Sequence, residues 1–226
     1  MGRFTVFLFG LIVMPGCDGS DDQPATSPQK KNTPMFVERA AESGLVFQHH
    51  SGASGQYYLP ESLGAGCGLF DADGDGDLDA LFVRGHNLEA SADAESQNTF
   101  FRNTGEGQFV DDTTNAGLTD LGYSYGVTCG DVDADGDIDL YITNFGKDCL
   151  YYNDGTGQFT KASDAASAAL DDFSVSSCFV DYDRDGDLDL FVTRYLDWSV
   201  DIGGGCFNLQ GARDYCSPMR FGRPLS

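Results

Sequence analysis

The chain has 226 residues, with 13 Lys+Arg against 36 Asp+Glu and a formal net charge of −23. A surface this acidic is repelled by nucleic-acid phosphates and by anionic membrane faces, so charge attraction to either partner is excluded. The 29 Gly, 17 Phe and 10 Tyr predict tight turns between short aromatic-rich strands, and no apolar run reaches the ~18 residues of a membrane-spanning helix.

The first residues read as an export signal. Arg3 supplies a positive start, residues 4–14 form a short apolar core, and Pro15-Gly16-Cys17 follows. Cys17 stands where a bacterial lipoprotein signal places its acylated cysteine, so residues 1–17 are expected to be a signal peptide of lipoprotein type, with lipidation at Cys17. An ordinary secretory signal cut nearby, with Cys17 incidental, is the alternative. Either route places the protein in the cell envelope, on the outer surface or in the medium, touching membrane only through the lipid. Residues 18–34 are rich in Ser, Pro, Asp and Lys without apolar periodicity and read as a flexible tether.

The region 35–226 is organised by a repeat. Asp71-Ala-Asp73-Gly-Asp75-Gly76-Asp77-Leu-Asp79 recurs as Asp131-Val-Asp133-Ala-Asp135-Gly136-Asp137-Ile-Asp139 and as Asp181-Tyr-Asp183-Arg-Asp185-Gly186-Asp187-Leu-Asp189. The starts lie 131 − 71 = 60 and 181 − 131 = 50 residues apart, a period typical of repeat architectures. A second element, Phe101-Arg-Asn103-Thr-Gly105-Glu-Gly107-Gln-Phe109, recurs as Tyr151-Tyr-Asn153-Asp-Gly155-Thr-Gly157-Gln-Phe159. The ten extra residues of the first repeat fall in the polar stretch 84–98, a loop insertion. A weaker echo joins Ala41-Glu-Ser-Gly44-Leu45 to Asn115-Ala-Gly117-Leu118.

Residues 78–83, 138–143 and 188–193 are apolar, aromatic and β-branched runs, predicted to be strands buried on both faces. The Gly-x-Gly segments predict hairpin turns between two further strands per repeat. Only 161–170 has helical composition, and it is short. The fold class is all-β.

The aspartate spacing suits a hard dication. Ca²⁺ takes six to eight oxygens, and a short loop can wrap it when alternate residues point inward. Positions 1, 3 and 5 offer carboxylates, position 7 its backbone carbonyl, and position 9 closes the shell. Position 6 needs a permissive φ, hence Gly76, Gly136 and Gly186. Without a cation, five carboxylates in nine residues repel one another. An EF-hand needs Glu at position 12, where Phe82, Ile142 and Val192 stand, and thrombospondin-type calcium repeats are spaced far more closely. About three Ca²⁺ per chain are expected, with Asp71, Asp73, Asp75, Asp77 and Asp79, then Asp131, Asp133, Asp135, Asp137 and Asp139, then Asp181, Asp183, Asp185, Asp187 and Asp189 as the site residues.

These loops, the strands after them and the Asn-x-Gly-x-Gly-x-Phe segments resemble the FG-GAP/VCBS repeats of calcium-binding β-propellers, the type found at the head of integrin α chains. More narrowly, Leu59-Pro-Glu-Ser-Leu-Gly-Ala-Gly-Cys-Gly-Leu-Phe-Asp71, preceded by Gly44-Leu-Val-Phe-Gln-His49, is similar to the start of bacterial cartilage-acidic-protein-like propellers, which often carry an ASPIC/UnbV domain. The resemblance covers about 35–222. It implies one calcium loop per blade, between its first two strands, with all loops on one face. It departs at the end: no ASPIC/UnbV segment is present, and some 2.5–3 blades are too few for a ring, since closed propellers need roughly four to eight. A partial β-propeller is therefore expected, either a truncated piece of a longer one or one that completes its ring by association with another propeller chain.

Seven Cys less Cys17 leave Cys67, Cys129, Cys149, Cys178, Cys206 and Cys216, an even number that an oxidising compartment can pair. Cys206 and Cys216, separated by a glycine-rich stretch without strand pattern, are expected to form a disulfide; the other four are equally readable as small buried hydrophobes. No C-x-x-C pair suggests a zinc site. His49, His50 and His86 lack H-E-x-x-H spacing, and there is no nucleophile elbow, P-loop or G-x-G-x-x-G. Gly203-Gly-Gly205 reads as a flexible loop, and Trp198 as a packing residue rather than a ligand contact. No catalytic residue is expected. The composition and repeats point to a calcium-stabilised surface module binding protein or glycan; a non-catalytic propeller part of an exported hydrolase or other enzyme assembly is the alternative.

Overall fold

A computed structural model describes residues 36–91, 96–119, 121–163, 170–202 and 205–222. The signal, the tether and Cys17 lie outside these residues, as do most of 161–170 and the pair Gly203 and Gly204. The chain divides into two units, and the elements below all belong to Arg39–Ser226.

The first sheet is antiparallel and runs in chain order through β1 (Cys67–Phe70), β2 (Asp79–Phe82), β3 (Thr99–Asn103) and β4 (Phe109–Asp111). The pattern returns in β5 (Tyr123–Gly130), β6 (Asp139–Lys147), β7 (Cys149–Asn153) and β8 (Phe159–Lys161). A third unit begins with β9 (Asp171–Val180) and β10 (Asp189–Arg194). The far end of β6 also pairs with β9, with Phe145 opposite Phe173, so the second and third units share one hydrogen-bonded sheet. A two-stranded hairpin, β11 (Cys206–Phe207) and β12 (Arg213–Asp214), follows. The fold is all-β, an incomplete propeller with no ring closed among the described residues.

The Gly-x-Gly segments close the outer hairpins. Thr104 N donates to Gln108 O at 2.7 Å, and Asp154 N to Gln158 O at 3.1 Å. The weak echo also has a structural cause. Phe109 N donates to Ser43 O and Phe159 N to Ala116 O, both at 2.8 Å, so each echo segment lies against the outermost strand of a sheet. The chain approaches so closely there that a Cβ on Gly117 (φ +79°) would stand 2.5 Å from the Phe159 carbonyl oxygen.

Two apolar clusters hold the sheets. In the first, Phe70, Leu81 and Phe100 of one sheet pack against Leu140, Tyr151 and Phe159 of the next, and the Phe159 ring meets Phe70 and Phe100 edge-on at 6.1 and 6.0 Å. The second gathers Leu59, Tyr125, Phe173, Trp198, Cys216 and Phe221. Trp198 is buried there, 5.4 Å from the Phe145 ring, which makes it a packing residue. Glu61 is a buried charge in the 3₁₀ turn Leu59–Ser62, and it accepts hydrogen bonds from Ser54 N, Ser54 Oγ and Tyr58 N.

One expectation fails. The run 188–193 is not buried on both faces: Phe191 is 47% exposed and the strand alternates between open and half-buried residues. In the other two runs residues 79–81, Val83 and 139–143 are buried, with Leu81, Val83, Leu140 and Ile142 in the core between the sheets, but Leu78 at the start of its run is 52% exposed. No described sheet covers the outer face of β10.

Candidate metal centre

Each acidic loop joins the first strand of its sheet to the second: β1 to β2, β5 to β6, β9 to β10. The glycine at position 6 is required. Gly76, Gly136 and Gly186 have φ of 91°, 101° and 101°, a region costly for a side chain. Position 4 is left-handed too, and there Ala134 and Arg184 (φ 59° and 64°) hold it without glycine. Such strain is kept only where the surroundings fix the loop.

Carboxylate oxygens of positions 1, 3 and 9 converge in every loop. The sets are Asp71, Asp73 and Asp79; Asp131, Asp133 and Asp139; and Asp181, Asp183 and Asp189, each with oxygens within 4.8 Å of one another. The carboxylates at positions 5 and 7 do not join these sets. Asp75, Asp135 and Asp185 each accept the backbone N–H of position 7, at 2.8, 3.0 and 3.0 Å, which turns the chain. Asp77 and Asp137 instead stand beside the hairpin glycines Gly105 and Gly155.

Position 9 is a double anchor. Asp79 accepts from Ala72 N (2.9 Å) and Asn103 N (2.7 Å); Asp139 accepts from Val132 N and Asn153 N, both at 2.9 Å. Each carboxylate thus ties the start of its loop to the end of the third strand. The Asn of the hairpin motif completes the tie: Asn103 Nδ2 donates to Leu78 O, and Asn153 Nδ2 to Ile138 O and across to Ala72 O of the first loop. In the third loop Asp189 accepts from Tyr182 N.

The donor set fits a hard cation and is uncomfortable without one. Three carboxylates converge in each loop, and among the described residues no ion pair offsets them in the second and third. Desolvation, and then repulsion from Asp135, Asp131, Asp154 and Asp133, holds the Asp137 carboxyl above its ordinary range. Burial raises Asp79 and Asp139 likewise, opposed by their backbone N–H donors. Asp181, a member of the third set, has a buried Oδ1 with no hydrogen-bond partner among the described residues.

Other residues singled out by the sequence lie apart. Among the described residues no histidine joins a metal-holding group. His86 packs on Tyr123 at 5.5 Å, and His50 Nδ1 accepts Gly52 N. Cys206 and Cys216 are joined in a disulfide with Cα atoms 5.1 Å apart. Cys67, Cys129, Cys149 and Cys178 form none, and burial pushes the Cys129 thiol up to about 11, which makes it unreactive. One residue at the site carried no signal in the sequence. Arg102 bridges Asp73 and Asp112, but Tyr152 fills its place in the second repeat, so no periodicity marks it.

Serial four-stranded blades, each with an acidic loop between its first two strands, define a propeller-type repeat protein. The family model described as FG-GAP-like repeat matches residues 71–142 and 131–192, and the chain belongs to this family. Each match runs from one acidic loop to the strand after the next, so the family's unit is the structural repeat seen here. No curated protein matches the chain significantly. Among the described residues no helix is long and apolar enough to cross a membrane.

Proposed function

We propose that this chain is an exported calcium-binding module of the cell envelope that acts by binding a protein or glycan and carries no catalysis of its own. The observation that supports it is the threefold recurrence of converging carboxylates at positions 1, 3 and 9, each at the same place in its blade. In the first loop Asp71, Asp73 and Asp79 would hold the ion, with their counterparts Asp131, Asp133, Asp139 and Asp181, Asp183, Asp189 in the others. Asp75, Asp135 and Asp185 and the carbonyls of Asp77, Asp137 and Asp187 complete the oxygens the spacing offers. Bound there, Ca²⁺ supplies positive charge that removes carboxylate repulsion and stiffens one end of every blade.

Export and a lipid on Cys17 rest on the residue pattern of 1–17. A role in adhesion accords with FG-GAP-like repeats, which serve in general as non-catalytic extracellular modules. The likeness of residues 59–71 to cartilage-acidic-protein-like propellers supports a place in that branch. A screen of the calcium-loaded protein against envelope glycans and exported proteins tests the binding role: calcium-dependent retention of a defined ligand supports it, and retention unaffected by EDTA contradicts it.

A further inference from the structure

We propose that Arg102 is an internal cation that keeps the first acidic loop shaped without metal and weakens calcium binding there relative to the second loop. This rests on the calcium reading above. All three guanidinium nitrogens are engaged: Nη1 donates to Asp73 Oδ2 at 2.6 Å, Nε to Asp112 Oδ2 at 2.7 Å, and Nη2 to Gly157 O at 3.1 Å. The side chain is 17% exposed and lies over the Phe100 ring, so it is held rather than waving in solvent. Asp73 is one of the three converging carboxylates of its loop. Its counterpart Asp133 is exposed and receives no ion pair among the described residues, and Tyr152 stands in the second repeat at the position that Arg102 holds in the first.

Two effects of Arg102 on an incoming dication oppose each other. Fixing the Asp73 rotamer in advance helps by about twofold, the entropy of one short side chain. A unit positive charge beside the loop, with one Asp73 oxygen already engaged, opposes the dication by on the order of tenfold through solvent. Repulsion wins. Without metal the sign reverses, because the same charge offsets the crowding of Asp71, Asp73 and Asp79. Gly157 belongs to the hairpin of the second sheet, so the Arg102 contact also fastens the first loop to its neighbour.

The first two loops each contain a reporter: Gly76 N donates to Asp71 and Gly136 N to Asp131, so both amides sense their own site. Calcium titration of the ¹⁵N-labelled full chain should move Gly76 at a higher concentration than Gly136. Arg102→Gln should lower the Gly76 midpoint about tenfold and leave Gly136 within about twofold, while Arg102→Lys, which keeps the charge, should leave Gly76 near the wild-type midpoint. Coincident midpoints in the wild type, or a Gly76 midpoint unmoved by Arg102→Gln, overturn the inference while the calcium reading stands. If neither amide responds to calcium, the calcium reading itself has failed and this inference falls with it. The wild-type order needs no variant, so the test survives a substitution that fails to fold.

Discussion

Asp139 and Asp133 sit on the same loop but do different work. Asp139 is buried and holds Val132 N and Asn153 N, whereas Asp133 is exposed and accepts no hydrogen bond from the described residues. Asp139→Ala should therefore cost about 2–4 kcal/mol in urea unfolding, with or without calcium, by stranding two amides. Asp133→Asn should cost stability only in calcium and stay within about 0.5 kcal/mol of wild type in EDTA. Asp148, at the opposite end of β6, tests burial apart from metal. Burial raises its carboxyl above the ordinary value, against the hydrogen bonds it accepts from Asn144 N and the Tyr141 hydroxyl. The folded state then binds this proton more tightly than the unfolded chain does. Its contribution to stability is complete below the ordinary carboxyl value and is lost as pH rises through the folded one. In calcium-saturated protein, the melting temperature of Asp148→Asn minus that of wild type should accordingly increase between about pH 4 and pH 7. A difference that is flat or falls with pH contradicts this.

At the scale of elements, legibility followed repetition. The strands after the acidic loops and the Gly-x-Gly hairpins were readable because apolar runs and turn residues recur at a fixed offset. The strands before the loops were not readable from residue type, since Tyr123–Gly130 and Asp171–Val180 are rich in Gly, Ser and Cys and are made strands by pairing with β6 and β10. The second core escaped for a different reason: Trp198, Cys216 and Phe221 lie in irregular chain without periodicity, and only tertiary packing brings them onto Leu59 and Phe173. At the loops, the spacing identified every converging aspartate and set position 7 apart as a carbonyl donor, but it grouped position 5 with positions 1 and 3, whereas the Asp75, Asp135 and Asp185 carboxylates turn back to the N–H of position 7. The 206–216 disulfide closes a separation of 10 residues beside that second core. Replacing both cysteines by Ser should cost about 2–3 kcal/mol, and limited proteolysis should then cut within 205–217 before it touches the first two sheets.

For the whole molecule, two apolar faces stay open. Leu69 and Leu78 are 62% and 52% exposed on the first sheet, and Val180, Phe191 and Tyr182 are exposed on the third unit. Uncovered faces and strand edges favour association with another chain, so light scattering of this chain should report concentration-dependent oligomers, and Phe191→Lys should reduce them. A compact monomer at every concentration contradicts that expectation. The same architecture makes the first two blades depend on their acidic loops, because Asp79 and Asp139 tie the loop to the hairpin while positions 1 and 3 gather charge beside it. Calcium that binds only the folded form adds stability by mass action, on the order of 2 kcal/mol per site when its concentration is about twentyfold above the dissociation constant. Titration calorimetry paired with thermal melts is the most direct measurement. Uptake of about three Ca²⁺ per chain and a melting temperature that falls on adding EDTA are the expected results. No heat of calcium binding, together with identical melts in calcium and EDTA, would contradict the calcium reading.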